Sequence, residues 1–221
     1  MRTRTKVLAW TGAAGVVLVG AAVLVGPQLY ADHANRAAAP VPTLTASGLS
    51  LGHLDGTWTV GDGSVAGYRV HEVLRGIDVR VTGRTPQVQG TVTVSDGVVT
   101  AADLTVDMAS VATDEPPRDA YFRSSALDVS TFPTATFTLT EPVRLDAAGS
   151  VALVGDLDVH GTTRPVRLDA EAAGGPGAVD VVGSVPITFA DYGVTAPDLG
   201  FVTVDKDGAI EFSLHLIPEV P

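Results

Sequence analysis

The chain has 221 residues, of which 45% are hydrophobic and 18% are charged, and it contains no cysteine. This length and composition suit one domain of ordinary size with appendages. Without cysteine there is no disulfide framework, no thiolate metal site and no cysteine nucleophile. Acidic residues number 25 against 14 basic ones, so the formal net charge is −11. Such an acidic chain repels polyphosphate, which argues against nucleic acid as a partner.

Near the N-terminus, residues 7–26 form a stretch without any charged residue. Twenty helical residues span about 30 Å, the thickness of the hydrocarbon core of a bilayer. Three basic residues lie within residues 1–6, and Asp32 is the first charge after the stretch. By the positive-inside rule, we expect 1–6 to be a cytoplasmic tail and 7–26 a single transmembrane helix, a signal anchor. The cell membrane is then a partner of the chain, and the domain that follows is extracytoplasmic.

A cleaved signal peptide is the alternative interpretation of this stretch, with Ala37-Ala38-Ala39 as a late cleavage site and a secreted product. Residues 27–55 that follow are rich in proline, alanine, glycine and serine and keep neither the strand nor the helix period. This composition predicts a flexible tether, partly extended by its prolines. The folded domain is therefore expected over residues 56–221.

Within this domain apolar and polar residues alternate, the period of a strand with one dry and one wet face. The alternation is found in segments 66–71, 88–95, 104–108, 151–160, 166–172 and 210–216. Turn signals such as Ser95-Asp96-Gly97 and Asp205-Lys206-Asp207-Gly208 separate segments. Regular short strands of this kind predict an all-β fold, either an antiparallel sandwich or a closed barrel.

The dry faces carry mostly small residues, and only 5% of the chain is aromatic. Small inward side chains fill a closed barrel poorly, so a barrel of about eight strands would hold one small ligand inside. A packed sandwich accommodates the same composition with its sheets closer together. The pattern alone leaves both architectures open.

One segment, from Arg118 to Leu127, lacks the alternation and places its apolar residues at helical spacing. We expect a short helix of two to three turns here, with Asp119 as its N-cap. Pro116-Pro117 is interpreted as the stop that precedes the helix.

Several motifs, taken in order, resemble the YceI family of lipocalin-like polyisoprenoid-binding domains. Trp58 and S-x-A-x-Y-x-V from Ser64 to Val70 resemble its first long strand. R-D-A-Y-F-R-S from Arg118 to Ser124 is similar to its most characteristic motif. The hairpin from Gly155 to Val166, turning at His160-Gly161, and the segment Asp191 to Val194 follow the family pattern. The resemblance covers about residues 56–217.

The resemblance implies an eight-stranded antiparallel lipocalin-like barrel with one short helix and an elongated apolar cavity. It implies an isoprenoid-type lipid as the ligand, a polyprenyl chain or a quinone, and no catalytic step. Departures from the family pattern occur at Glu72, Tyr121-Phe122, Ala126-Leu127 and Phe189.

Ligand contacts are assigned on the same basis. A polar head at the mouth would accept hydrogen bonds from Arg118, Arg123 or Tyr121. The remaining predicted contacts are inward apolar and aromatic residues: Tyr68, Val70, Phe122, Phe137, Leu139, Phe189, Phe212 and Leu214.

Catalytic and metal sites are not predicted. No two of the five histidines are three to five residues apart, so no helical zinc pair exists. His160 sits at a turn, where a hydrogen-bonding role is expected. Two other hypotheses stay open: a structural module with a filled barrel, and an enzyme acting on an envelope lipid. The enzyme would need a polar cluster inside the barrel, which the sequence does not reveal.

Overall fold

The structure is a computed structural model that describes residues 26–44, 54–145, 149–175 and 177–219. Within these ranges eleven strands form one antiparallel sheet. They are β1 (Gly56–Val60), β2 (Val65–Leu74), β3 (Ile77–Thr85), β4 (Val88–Ser95), β5 (Val98–Asp107), β6 (Thr134–Leu139), β7 (Val143–Arg144), β8 (Ser150–Val159), β9 (Thr162–Gly175), β10 (Ala178–Thr188) and β11 (Val202–Pro218). All six segments predicted from alternation coincide with strands, apart from Met108 and His160, which each lie one residue past a strand end, and this confirms the all-β prediction.

The sheet closes into a barrel through β1. This short strand pairs with β4 along one edge and with the end of β11 along the other. The closed ring that the described residues form therefore has eight strands, in the order β1, β4, β5, β6, β8, β9, β10 and β11. The predicted eight-stranded antiparallel barrel is confirmed, and the sandwich is wrong. The hairpin of β2 and β3 extends from the earlier part of β11, beyond the ring.

The predicted turn at Asp205–Gly208 is a bulge inside β11. Val204 pairs with Glu72 and Gly208 pairs with Val70, so three residues of β11 lie opposite His71 alone. Both flanking stretches of β11 run beside the same strand, β2, and the chain does not reverse. Extra residues opposite one partner bend a strand without ending it.

The predicted flexible linker contains a helix. Residues 26–37 are helical, here called α1. Ala31 and Ala34 are 1% and 2% exposed and pack on Val79 and Val81 of β3. Residues three apart share a helix face, and the small alanine side chains let α1 lie directly on the sheet. The prediction of an unstructured tether is wrong for this part of the segment. Its alanines do not alternate as in a strand, but Ala31 and Ala34 form one face of a helix that packs on β3.

The chain after α1 follows the edge of β3. The Asn35 side chain donates to the backbone oxygen of Asp78 at 3.0 Å and accepts from the backbone N–H of Arg80 at 2.8 Å. Farther on, the N–H of Ala39 donates to Thr82 Oγ1 at 2.9 Å. The two bonds of Asn35 occupy backbone groups that an edge strand leaves unpaired, and the bond of Ala39 uses a side chain of the same strand. Residues 26–39 are therefore part of the barrel domain, whose predicted boundary was residue 56.

The predicted transmembrane helix over 7–26 lies outside the described residues, apart from Gly26. Among the residues that the structure does describe, every helix is too short or too polar to cross a bilayer.

The predicted helix near Arg118 is present but begins earlier. Helix α2 spans Pro116–Tyr121 and continues into a π-helical turn over Phe122–Ala126. The two prolines are not a stop; they occupy the first turn, where the missing N–H costs nothing. Asp119 is not the N-cap, since its carboxylate accepts from the N–H and hydroxyl of Thr113 at 2.9 and 2.8 Å.

His160 has the expected hydrogen-bonding role at the β8–β9 turn. Its φ is 55°, in the left-handed region that a two-residue hairpin turn requires, and Gly161 follows with φ 67°. His160 Nδ1 lies 3.1 Å from the backbone oxygen of Tyr192, and its ring meets Phe132 edge-on. The histidine thus fastens the turn to the segment that follows β10.

Candidate ligand-binding cavity

A cavity of about 740 Å³ opens at the end of the barrel where α1, α2 and the β2–β3 hairpin lie. Its size falls within the range of about 300–1,000 Å³ that is typical of small-molecule sites. It is roughly 25 times the 30 Å³ that one water occupies in the liquid. A barrel filled by its own side chains would have no such space, so the filled-barrel hypothesis disagrees with the structure.

The wall of this cavity is almost entirely apolar. Inward residues of the strands form its floor, including Val106, Ala135, Val159, Ile187 and Ile210. The inner face of the β2–β3 hairpin supplies one side through Tyr68, Val70, Leu74 and Val81. The connection between β10 and β11, whose Phe201 oxygen accepts from the N–H of Arg75 at the tip of that hairpin, supplies more of the rim through Val194, Pro197, Leu199 and Phe201. Period-two alternation produces this wall, since every second residue of each strand points inward.

A second, smaller cavity of about 140 Å³ lies deeper in the barrel. Trp58 and Leu216 line it at the closed end, and Ile210 lines both cavities. The Trp58 side chain is 4% exposed, and its indole N–H donates to the backbone oxygen of Leu54 at 2.8 Å. The smaller cavity therefore adjoins the larger one at Ile210 and extends toward Trp58.

Aromatic rings leave the interior open because they lie over glycines in the wall. Each ring occupies the place that a Cβ atom would take on a neighbouring strand. The pairs are Tyr68 over Gly83, Phe137 over Gly155, Phe212 over Gly183 and Phe189 over Gly208. Any other residue at these glycines would force the ring inward. The wall glycines therefore allow large side chains to thicken the wall instead of filling the cavity.

A cluster of polar side chains interrupts the apolar wall at the mouth. Arg118 Nη1 donates to Asp114 Oδ1 at 2.7 Å, and Nη2 donates to the Tyr30 hydroxyl at 3.0 Å and to Glu72 Oε1 at 3.4 Å. The side chains of Arg118, Glu72 and Asp114 are 17%, 9% and 19% exposed. This polar cluster lies at the mouth, and Arg118 is its one member among the predicted ligand contacts.

Electrostatics keeps Arg118 charged and the two nearby phenols neutral around neutral pH. Burial lowers the pKa of the Arg118 guanidinium, but attraction to Glu72, Tyr30 and Asp114 outweighs burial, so that pKa is raised overall. Burial raises the pKa of the phenols of Tyr30, in the cluster, and of Tyr68, in the adjoining wall, although the positive charge of Arg118 works against it. The mouth therefore presents a permanently charged, paired guanidinium and two neutral phenols.

A stack of two rings separates the polar cluster from the apolar floor. Tyr68 and Phe122 lie 5.1 Å apart between ring centroids, with 12° between their planes. Phe122 belongs to the π-helical turn that follows α2, and this turn brings its ring over the cavity. The helix segment thus covers part of the mouth.

The predicted ligand contacts divide between the two cavities. Those that line the larger cavity are Tyr68, Val70, Arg118, Tyr121, Phe122 and Phe189. Those that line the smaller cavity are Phe137, Phe212 and Leu214. Neither cavity wall, as formed by the described residues, includes Arg123 or Leu139. Arg123 reaches instead toward the backbone oxygen of Val111 at 3.5 Å, and Leu139 packs among the core residues.

Three residues of the polar cluster, Glu72, Tyr30 and Asp114, were not among the predicted site residues. Glu72 has the same parity as Tyr68 and Val70, so it lies on the inward face of the strand. An acidic residue on an inward face could have indicated a polar site. Tyr30 was assigned to the linker, and its place at the mouth depends on the docking of α1. Its position follows from tertiary contacts with β3 and carries no local pattern.

Comparison with known proteins shows that the chain is similar to one family of domains and to bacterial proteins of the UPF0312 group. A family description, the YceI-like domain, matches residues 58–216. A UPF0312 protein of Vibrio vulnificus is 31% identical over 99 residues, which are 42% of this chain and 52% of that protein. One from Pectobacterium atrosepticum is 41% identical over 73 residues, 33% of this chain and 37% of that protein. The chain thus spans about half or less of the length of these relatives.

Solved structures share the fold at low sequence identity. A polyisoprenoid binding domain from Saccharophagus degradans, implicated in plant cell wall breakdown, is 20% identical with a TM-score of 0.57. The similarity covers 74% of this chain and 99% of that domain. BcnA of Burkholderia cenocepacia gives 19% identity and a TM-score of 0.56, over 67% of this chain and 95% of that one. The barrel architecture is therefore common to all three.

Proposed function

The chain belongs to the family of YceI-like domains, and on that premise we propose that it binds an isoprenoid-type lipid, a polyprenyl chain or a quinone, inside its barrel. The binding is non-covalent and involves no chemical step. The observation that carries the proposal is the apolar cavity of about 740 Å³ that opens at one end of the barrel. The polyisoprenoid binding domain of Saccharophagus degradans has the same fold and supports this ligand class.

Binding energy comes from the tail of the ligand. Each methylene that moves from water into the cavity contributes about 0.8 kcal/mol. The smaller cavity, which extends toward Trp58, accepts the end of a ligand chain that is longer than the larger cavity holds. Tail burial alone accounts for tight binding, so no ionised group is required in the floor.

The head group stays at the mouth, near Arg118 and Tyr121. Arg118 already pairs with two carboxylates, Glu72 and Asp114. A third anion at this place would compete with them and meet their repulsion. We therefore expect an uncharged head, such as a quinone or an alcohol, over a phosphorylated one.

Location follows from the uncharged sequence at the N-terminus. We propose that residues 7–26 anchor the chain in the cell membrane as a single pass, with the N-terminus cytoplasmic and the barrel extracytoplasmic. Removal of a signal peptide, giving a secreted barrel, is the alternative. Sequencing the N-terminus of the chain purified from membranes separates the two.

Lipid extraction from the full chain tests the proposed function. We expect mass spectrometry of an organic extract to detect an isoprenoid lipid in about equimolar amount. The variant Ala126→Trp places a large ring at a half-buried position of the cavity wall and should lose most of this lipid. Ala120→Trp, at an exposed position of α2, is the matched control and should keep it. An extract without lipid, together with no uptake of added quinone or polyprenol, contradicts the proposal.

A further inference from the structure

Exposed apolar side chains concentrate around the mouth of the larger cavity. Leu199 and Phe201, between β10 and β11, are 57% and 54% exposed, and Tyr121 at the end of α2 is 40% exposed. All three also line the cavity. We call Leu199, Phe201 and Tyr121 the mouth rim. Side chains of this size facing water from separate elements around one opening mark an interaction surface.

The part of α1 around Tyr30 is held at this mouth. Ala31 and Ala34 are buried against β3, and the Tyr30 hydroxyl accepts a hydrogen bond from Arg118. Gly26, where the described part of the chain begins, is four helical residues from Tyr30, about 6 Å along the helix axis. The chain therefore enters the barrel domain beside the mouth rim and at a fixed position.

The residues that precede Gly26 indicate what the mouth rim faces. Residues 7–25 contain no charge, and the proposed function makes them the membrane anchor. An anchor that leaves the bilayer at Gly26 places the mouth, a single helical turn away, at the bilayer surface. A long tether would leave the orientation free, whereas a docked helix of this length does not.

We propose that the mouth rim is a bilayer-docking surface, on which the barrel rests with its cavity open toward the lipid. The ligand then passes between the membrane and the cavity without crossing water. This inference rests on the proposed function, since it needs the anchor and the lipid ligand. Charges of both signs lie next to the rim: the exposed Arg75 is hydrogen-bonded to Phe201 through the backbone, and the exposed Asp198 precedes Leu199. Because these charges give no net attraction to a charged lipid surface, apolar contact drives the docking. Anionic lipid is not required.

The absence of cysteine from the sequence makes a direct test simple. The full chain carrying Leu199→Cys, labelled with a polarity-sensitive fluorophore, is placed in phosphatidylcholine nanodiscs whose acyl chains are brominated near the head group. Ser95→Cys is the control, since Ser95 is exposed at the end of β4, at the opposite end of the barrel. Phe201→Cys provides a second rim position in case Leu199→Cys perturbs the loop.

We expect bromine to quench the label at the rim several-fold more than the label at Ser95→Cys. Equal quenching at the two ends, with lipid still recovered from the same samples by extraction, overturns the docking surface and leaves the lipid-binding function intact. Absence of both quenching and extractable lipid overturns both proposals. Lipid extraction therefore distinguishes the failure of one from the failure of the other.

Discussion

Arg118 of α2 donates a hydrogen bond of 3.0 Å to the hydroxyl of Tyr30 on α1, joining two helices across the mouth of the barrel. Tyr30 lies far from Arg118 in sequence, within a segment whose composition predicts a linker. The contact makes α1 a wall of the cavity and part of the folded domain. The stability of the barrel and the closure of its mouth are therefore linked through these two side chains.

Removal of the Tyr30 hydroxyl should loosen α1. Tyr30→Phe keeps the ring but removes the acceptor of one Arg118 hydrogen bond, so we expect the free energy of unfolding in urea to fall by about 1 kcal/mol. Hydrogen exchange of the α1 amides should accelerate. Tyr121→Phe, which changes a 40%-exposed tyrosine at the same mouth, is the control. Equal exchange of α1 in wild type and Tyr30→Phe would show that the hydroxyl does not hold the helix.

The buried ion pair predicts a non-additive pair of substitutions. Arg118→Met leaves Glu72, whose side chain is 9% exposed, without its cation, and should cost about 2–3 kcal/mol of unfolding free energy. Glu72→Gln in the same chain removes the stranded charge and should restore part of that loss. Urea unfolding of both single variants and the double variant measures the coupling. Additive losses would mean that the two charges do not interact.

The glycines of the wall predict a change that closes the interior. Gly183→Ala places a methyl group where the Phe212 ring lies, so the ring must swing into the smaller cavity. We expect a stability loss of about 1–3 kcal/mol from overpacking and weaker binding of long-chain ligands than of short ones. Gly175→Ala, in open space at the end of β9, is the matched control. Unchanged binding of long chains by Gly183→Ala would show that tails do not reach this cavity.

Alkaline pH should destabilise the barrel through Tyr68. Burial raises the pKa of this phenol above the value of about 10 that it has in the unfolded chain. A folded-state pKa above the unfolded one contributes stability that is present below pH 10 and is lost as the pH rises further. Tyr68→Phe keeps the stack on Phe122 but cannot ionise, so its unfolding free energy should fall less steeply above pH 10. Parallel curves for the two proteins would exclude Tyr68 as a source of the effect.

The sequence predicted the strands well because each has one dry face, as Ala66, Tyr68 and Val70 of β2 show. Closure was not visible in the pattern, since it depends on the long-range pairing of Trp58 with both Val92 and Pro218. The bulge at 205–207 looked like a turn because bulges and turns use the same residues.

The sequence pattern also did not predict where some of the site residues lie in the barrel. Phe137 and Phe212 were correctly placed inside the barrel, but alternation gives only the face of a residue and not its depth. They line the narrow end, away from the mouth residues Arg118 and Tyr121. The position of Tyr30 at the mouth could not be predicted, because no local sequence pattern indicates that α1 packs on β3.

Photo-cross-linking tests the central claim most directly, because it reports where a bound lipid lies. A polyprenol or quinone that carries a diazirine near the end of its tail is added to the full chain, illuminated and mapped by peptide mass spectrometry. We predict adducts on inward residues of the two cavities such as Ile187, Ile210 and Phe212, abolished by an excess of the unlabelled lipid. Adducts confined to the outer surface of the barrel, or insensitive to competition, would contradict the account.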